Sequence, residues 1–408
     1  MFKSLSQAID WIEKQPRFKD KVDLNHLKKA YQNLNIDLSN IKKIHVAGTN
    51  GKGSTSAYLS YIGIASNYKV GSFTSPYLVS FNERIRINMI PINDLELLQL
   101  INEFYVFNES LFEKLSFFEI MTLMSFKYFS DQKVDLMIIE VGIGGLLDAT
   151  NILDYDLSLI TNVGMDHMKQ LGNTLESIAL NKLGIVKPYH KLLTTMDEKL
   201  LPLAMKVCEE KKAECIPLNE TMVQTVNDYP HQITIDDNLF SILLGEHQNL
   251  NALLAYKAFL SLYPDTDIKN IEKGFKSTKW AGRLEEIIPN VFIDGAHNMH
   301  AIDQLIQSSA RMFKGQKIGI LFSALGDKEI DEMLLRLKTI SSEIIVTSFN
   351  DFRYKDLSYV NNKGFSFESD YHKAYLKLKE KNCDIILITG SIHFIGEIKK
   401  NLLGVLND

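Results

Sequence analysis

The run DLMIIEVG, residues 135–142, constrains this chain more than any other stretch. Its apolar residues follow one another directly instead of alternating, which is the pattern of a strand buried on both faces. Such a strand needs a helical layer above and below it, and the flanking sequence offers both. Short apolar runs at 44–48 (IHVAG), 69–75 (KVGSFTS) and 157–164 (LSLITNVG) are interleaved with helical patterns at 54–66, 115–129 and 174–185. This is the rhythm of βαβ units building a parallel sheet. It loosens between about 190 and 245 and restarts as a smaller series at 291–297, 317–325, 343–349 and 384–392. The stretch KSTKWAGRLEE, 276–286, lies between the two series and reads as a hinge. A chain of 408 residues is long for one core, so two α/β domains are expected, 1–278 and 279–408.

Charge and cysteine usage narrow the class. Lys plus Arg total 45 and Asp plus Glu 50, a net of −5, which supplies no basic field for a nucleic-acid backbone. Cys208, Cys215 and Cys383 are scattered and lack paired metal spacing, which suits a reducing compartment, the cytoplasm. The opening MFKSLSQAIDWIEKQPRF is broken by charges and reads as an amphipathic helix ending near Pro16, not as a signal peptide. No apolar run approaches the roughly 20 residues that cross a bilayer, so no membrane partner is expected.

The chemistry concentrates where apolar strands end. HVAGTNGKGST, 45–55, has the ingredients of a phosphate cradle in an unusual order. The common nucleotide loop is G-x-x-x-x-G-K-[ST]. Here Val46 stands where its first glycine belongs, and Gly53 follows Lys52. Gly48, Gly51 and Gly53 allow close backbone approach, a helix is expected from about Ser54, Lys52 brings a mobile charge, and Ser54 and Thr55 bring hydroxyls. Taken alone, the same residues also describe a tight turn with an exposed lysine.

Other strand ends add to it. EVGIGGLLDATN, 140–151, sets Glu140, a hard oxygen donor suited to Mg²⁺, before a glycine turn. TNVGMDHMKQLG, 161–172, adds Asp166 and His167, and TSPYLVSFNERIRI, 74–87, adds Thr74 and Ser75. In open parallel sheets ligands bind at these carboxyl ends, so a hydroxyl, a carboxylate and an imidazole are expected to converge beside the phosphates. In the second series, IDGAHN (293–298) and ITGSIHF (388–394) repeat the strand–turn–helix pattern with Asp294, His297, Asn298, Ser391 and His393, and Arg283 in the hinge is placed to reach a γ-phosphate. Either turn alone is equally well explained as a helix cap.

In this order the motifs resemble the Mur ligase superfamily, and within it the folylpolyglutamate synthases and dihydrofolate synthases. The resemblance runs through HVAGTNGKGST, FTSPYLVSFNERI, FFEIMTLMSFKYF, EVGIGGLLDATN, TNVGMDHMKQLG, NKLGIVK, GEHQNLNALLA, WAGRLE, IDGAHN and ITGS, from about residue 10 to 398. It implies a P-loop ATPase domain with a parallel sheet, followed by a smaller doubly wound, Rossmann-like α/β domain that closes the active site and binds glutamate. It also implies an ATP-dependent ligase that converts a carboxylate to an acyl phosphate and passes it to the amine of L-glutamate. By the same resemblance Gly48, Thr49, Asn50, Gly51, Lys52, Gly53 and Ser54 hold the phosphates. Ser75, Glu140 and His167 serve two Mg²⁺ ions, Lys182 is carried as a carbamate, and Asn251 lies against adenine. Arg283 and Asp294 close on the nucleotide, His297 and Ser391 stand near the incoming glutamate, and Asp148 matches a pterin-side position.

Two departures concern the folate side: Leu146 stands where the family often has arginine, and Tyr77 where it often has histidine. The acceptor is expected to be the glutamate-tail carboxylate of a reduced folate, with dihydropteroate, or both, as the alternative. A Mur ligase proper fits less well, because the chain reaches the phosphate loop by residue 48 and leaves no length for a UDP-binding domain. A nucleotide switch without ligase activity would not need the DGAHN and TGS turns. A monomer is expected.

Overall fold

The computed structural model describes residues 1–17, 23–326, 329–351 and 353–401. Leu136–Glu140, every residue of which is buried, is the fifth strand of an eight-stranded sheet. The strands of this sheet are β1 Lys42–Ala47, β2 Val70–Phe73, β3 Ile85–Ile87, β4 Ile90–Pro91, β5 Leu136–Glu140, β6 Leu157–Ile160, β7 Lys191–Thr194 and β8 Glu214–Pro217. Their order is β4-β3-β2-β5-β1-β6-β7-β8, parallel except at one edge, where β3 runs antiparallel to β2 and β4 antiparallel to β3. The central position of β5 and of the Ile44–Ala47 end of β1 explains why every residue there is buried: helices cover both faces of the sheet, while Lys42 at the start of β1 stays exposed.

Two cores flank this sheet. On one side Phe117–Asp131 packs with Phe73, Phe81, Leu97 and Phe104. A capping box starts this helix, with the Glu119 carboxylate accepting from both the backbone N–H and the hydroxyl of Ser116. A second core, around Ala47, Ile160, Leu183 and Leu192, seats the helix Leu175–Leu183. The helices Lys52–Ala65 and Ile268–Ser277 approach closely at Gly274, where an added Cβ would stand 2.6 Å from the Cα of Ile62. The first helix, Leu5–Glu13, ends before the expected Pro16, at the cap Lys14.

The chain divides into two compact units. The first holds Met1–Val223 and Leu250–Thr278; the second holds Gln224–Asn249 and the described residues from Lys279 onward. This differs from a division at 278/279 in one segment. Residues 224–241 form an antiparallel sheet of β9 Gln224–Asp228, β10 His231–Ile235 and β11 Asn238–Ser241, ordered β11-β10-β9. That segment lies within the stretch 190–245 where the βαβ rhythm loosens: β7, the helix Leu201–Glu210 and β8 still form one parallel unit, and the rhythm is lost only from 224 onward, since antiparallel hairpins need no crossover helices. The second unit's main sheet comprises β12 Glu285–Ile288, β13 Val291–Ile293, β14 Ile318–Phe322, β15 Glu343–Thr347, β16 Ser366–Glu368 and β17 Ile385–Thr389. Its order is β12-β13-β17-β14-β15-β16, parallel apart from β12. The last residues of the expected 279–408 domain, 402–408, lie outside the described residues. Among the described residues no helix is long and apolar enough to cross a membrane.

Candidate active site

Because β1 lies between β5 and β6, the loops leaving all three strands emerge side by side. The loop after β1 is four residues long, Gly48–Gly51, and the helix starts at Lys52, two residues before the expected Ser54. Gly51 allows the earlier start: its φ of 85° makes a left-handed N-cap that a side chain would disfavour. The first-turn N–H groups are therefore those of Lys52, Gly53 and Ser54, a set of amide donors at the positive end of a helix.

The loop is pinned from β6. Thr49 N–H donates to the Asn162 carbonyl at 3.0 Å and Asn50 N–H to Asn162 Oδ1 at 2.9 Å. The Thr161 hydroxyl donates to the Asn50 carbonyl at 2.6 Å. Gly48 is required by the same contact: a Cβ there would lie 1.8 Å from Thr161 Oγ1. Lys52 curls over its own loop, with Nζ donating to the carbonyls of Gly48 at 3.1 Å and Thr49 at 3.2 Å, and 4.0 Å from Glu140 Oε1. Ser54 and Thr55 are buried in the helix. The Asn251 carboxamide packs against Gly51, where an added Cβ would meet its Oδ1 at 2.3 Å.

Glu140 ends β5 and is 4% exposed. Its Oε2 accepts from the Ser75 N–H at 3.2 Å, so the TSP loop after β2 and the carboxylate are joined. His167 is exposed and caps a short helix, Met168–Leu171, in a left-handed conformation. Among the described residues no three His, Cys, Asp or Glu side chains gather as a self-contained metal cage. One buried carboxylate with a hydroxyl beside a phosphate loop fits Mg²⁺, which keeps waters and takes phosphate oxygens.

Lys182 lies in the last turn of Leu175–Leu183 and is 3% exposed. Burial, reinforced by the charge of Lys52, brings its pKa down to about 7, against the opposing pull of Asp166 and Asp148. The glycine turn holds this helix end in place, since Leu146 N–H donates to the Asn181 carbonyl at 2.8 Å. Asp148 caps the turn Ala149–Ile152, accepting from Thr150 N–H and Ile143 N–H, both at 3.0 Å. Leu146 is half exposed, while Tyr77 joins Phe81 and Phe117 around the Arg84 guanidinium at 5.0–5.5 Å.

The second unit gathers its own set at the carboxyl ends of β13 and β17, parallel neighbours. Asp294 Oδ1 accepts from Ala296 N–H at 2.8 Å and Oδ2 from Leu284 N–H at 2.9 Å. With both oxygens so engaged, Asp294 ties the hinge to the DGAHN turn. Burial raises its pKa, with Arg283 and the two N–H donors opposing. His297 Nδ1 contacts the Gly295 carbonyl at 2.8 Å, and Ser391 Oγ accepts from His393 N–H at 3.2 Å.

The residues missed by sequence reasoning are the ones that hold others: Thr161 and Asn162 under the phosphate loop, and Thr150 under Asp148. One sequence signal accompanies them. Thr-Asn pairs recur at 49–50, 150–151 and 161–162, each after a strand of the first sheet.

Known proteins match this arrangement across the chain. The model of the Mur ligase middle domain covers residues 46–259, and that of the Mur ligase glutamate ligase domain covers 282–392. A dihydrofolate synthase/folylpolyglutamate synthase of Bacillus subtilis is 34% identical, with 98% of this chain and 100% of that protein aligned. The chain belongs to the folylpolyglutamate synthase/dihydrofolate synthase family. Its members' structures superpose well: the folylpolyglutamate synthase of Thermotoga maritima gives a TM-score of 0.85 at 28% identity, over 98% of this chain and 96% of that one. An FPGS–AMPPCP complex gives 0.83 at 26%, over 98% and 100%. As a folylpolyglutamate synthase/dihydrofolate synthase family member, the chain is an ATP-dependent, amide-forming ligase with a nucleotide-binding α/β unit and a Rossmann-like α/β unit.

Proposed function

We propose that this ligase adds L-glutamate to the glutamate-tail carboxylate of a reduced folate, in the cytoplasm, through an acyl phosphate made at the expense of ATP. The observation that carries the reading is the pinned loop with Lys52 4.0 Å from the buried Glu140, in a chain aligned end to end with folate-ligase relatives. Lys52 and the first-turn amides of its helix hold the β- and γ-phosphates. Ser75, Glu140 and His167 would hold Mg²⁺, with the carboxylate as the main donor, since imidazole is an uncommon partner for so hard a cation. Bound there, the cation offsets the negative charge that develops on the transferring phosphoryl group.

The acceptor carboxylate attacks the γ-phosphorus, an O–P bond forms, and ADP departs. The glutamate amine then attacks the acyl carbon, the C–N bond forms, phosphate leaves with the C–O electrons, and the amine loses a proton. Lys182 suits carbamate formation: a neutral amine in a buried site takes up CO₂ and releases a proton, turning a cation into an anion beside Lys52. That anion would hold a second Mg²⁺. In the second unit, Arg283 would serve the γ-phosphate, and His297 and Ser391 the incoming glutamate. Asp148 would serve the pterin.

The Bacillus subtilis relative carries both synthase names, which favours a second reading in which dihydropteroate is also an acceptor. Steady-state ADP release with glutamate and either tetrahydrofolate or dihydropteroate tests both. Turnover with the first supports polyglutamylation, and turnover with both supports the bifunctional enzyme. Turnover with dihydropteroate alone sinks polyglutamylation, and glutamate-independent hydrolysis without an amide product sinks the ligase reading of the site.

A further inference from the structure

A buried polar chain runs beneath Asp148. Thr150, fully buried, donates its hydroxyl proton to Asp148 Oδ1 at 2.5 Å. A threonine hydroxyl has one proton to give, so its 2.8 Å contact with His45 Nε2 requires His45 to be the donor. This makes His45 the Nε2–H tautomer. Two facts agree with that assignment. His45 Nδ1 is buried and makes no hydrogen bond, which a second N–H donor there would not tolerate. Burial, with the charge of Lys187 added, also holds the ring neutral. The ring plane is fixed by Tyr155, stacked at 4.0 Å and 14°.

The turn above is braced by the same group. Tyr155 donates to the Thr150 carbonyl at 2.6 Å, and Lys187 Nζ to the Asn151 carbonyl at 3.1 Å. Phe118 lies beside the carboxylate: a Cβ on Gly142 would meet its ring at 2.6 Å and Asp148 Oδ2 at 3.1 Å. His45 belongs to β1, three residues before Gly48, so the strand that delivers the phosphate loop also supports this carboxylate.

We propose that Thr150 and His45 are positioning residues for Asp148: the chain from His45 Nε2–H through the Thr150 hydroxyl to Asp148 Oδ1 holds the carboxylate in the one rotamer that receives the N–H donors of the acceptor's heterocycle. The proposal rests on the reading of Asp148 as the pterin-side carboxylate. A hydroxyl is needed at 150 and a neutral N–H donor at 45; neither residue touches the substrate.

Steady-state kinetics of the full chain, with tetrahydrofolate as acceptor and ATP and glutamate varied in turn, separates the possibilities. T150V and H45F are each expected to raise the acceptor KM about tenfold, the size of one lost hydrogen bond to a charged group, with the KM for ATP nearly unchanged. T150S, which keeps the hydroxyl, and H45Q, which keeps an N–H donor, are expected to restore it to within about threefold. The double variant T150V/H45F should be no worse than the poorer single one, because both break the same chain. If T150V does not fold, H45F and H45Q, on β1 rather than in the turn, carry the test. An unchanged acceptor KM in H45F or T150V, while D148N raises it, overturns the positioning chain and leaves Asp148 in its role. An unchanged KM in D148N removes the pterin-side reading itself. Parallel losses for acceptor, ATP and glutamate, with a lowered Tm, would reduce the two residues to structural support and overturn the proposal.

Discussion

At the scale of single residues, Lys52 and Lys182 divide the electrostatic work. Lys52 sits on its loop carbonyls with Glu140 opposite, the place from which a cation can follow charge as it builds on a phosphoryl group. Lys52→Ala should lower kcat by about 10²–10³, the usual loss for one preorganised stabilising group; near-normal kcat would remove the loop from the chemistry. Lys182 behaves differently because it is buried. Its pKa of about 7 leaves roughly half of it neutral at neutral pH, against fewer than about one in a thousand for an ordinary lysine. Only the neutral amine takes up CO₂. We expect bicarbonate to raise both activity and Tm, and ¹³C-bicarbonate to give a carbamate NMR signal. All three effects should be lost in Lys182→Ala and should fade below about pH 6 as the amine protonates. A Tm indifferent to bicarbonate in the wild type would end the carbamate assignment. Lys52 stands out from its own loop, whereas Lys182 is singled out only by the family resemblance, since its local sequence reads as a solvated helix lysine; its lowered basicity is not legible at all. That property comes from the helix end closing against the glycine turn, a tertiary event with no local signature.

At the scale of elements, the phosphate loop depends on β6 as much as on its own glycines. Asn162 gives the loop a carbonyl acceptor and a side-chain acceptor. Asn162→Ala removes the second and leaves the Asn50 N–H without its partner, a cost of about 1–3 kcal/mol if that N–H is kept from water. We expect the KM for ATP to rise about tenfold while the KM for the folate acceptor stays unchanged; equal rises in both would mean that the whole sheet edge had moved. The strands were legible because unbroken apolar runs have few alternatives in a covered parallel sheet, and β1, β2, β5 and β6 lie where that pattern indicates. The helix after the loop began earlier than the pattern suggests, since Lys52 and Gly53 carry no helical periodicity and only the conformation of Gly51 admits them. The hairpins of 224–241 were not legible. Their strands are short and half exposed, and their residues join the second unit through contacts that no local pattern encodes.

At the scale of the whole molecule, each unit holds a histidine kept neutral by its surroundings, His45 fully buried and His247 partly so. His45 in the first is held far below its ordinary value by burial and Lys187; His247 in the second is brought down to about 4 by burial, with Arg283, His231 and His300 adding to the effect. In an unfolded chain both titrate near 6.5. Between the two values the unfolded state carries protons that the folded state refuses, so the stability contributed by these histidines is full above about pH 6.5 and is lost as pH falls toward 4. Carboxylates with lowered values, such as Asp156 and Asp351, contribute their own loss only at more acid pH, whereas Asp294 in the second unit, whose value burial raises, works in the opposite sense, so the fall expected there is the His247 contribution less that of Asp294. The chain has two tryptophans, Trp11 in the first unit and Trp280 in the second, so each unit has its own fluorescent reporter. With Trp280→Phe, the urea midpoint read from Trp11 should fall steadily from pH 6.5 to 4.5, and His45→Phe should flatten that slope. With Trp11→Phe, the midpoint read from Trp280 should fall likewise, and His247→Gln should flatten it without touching the first. Midpoints that stay level down to pH 4.5 would mean that these rings find a proton acceptor in the folded state, and the neutral Nε2–H tautomer assigned to His45 would go with them.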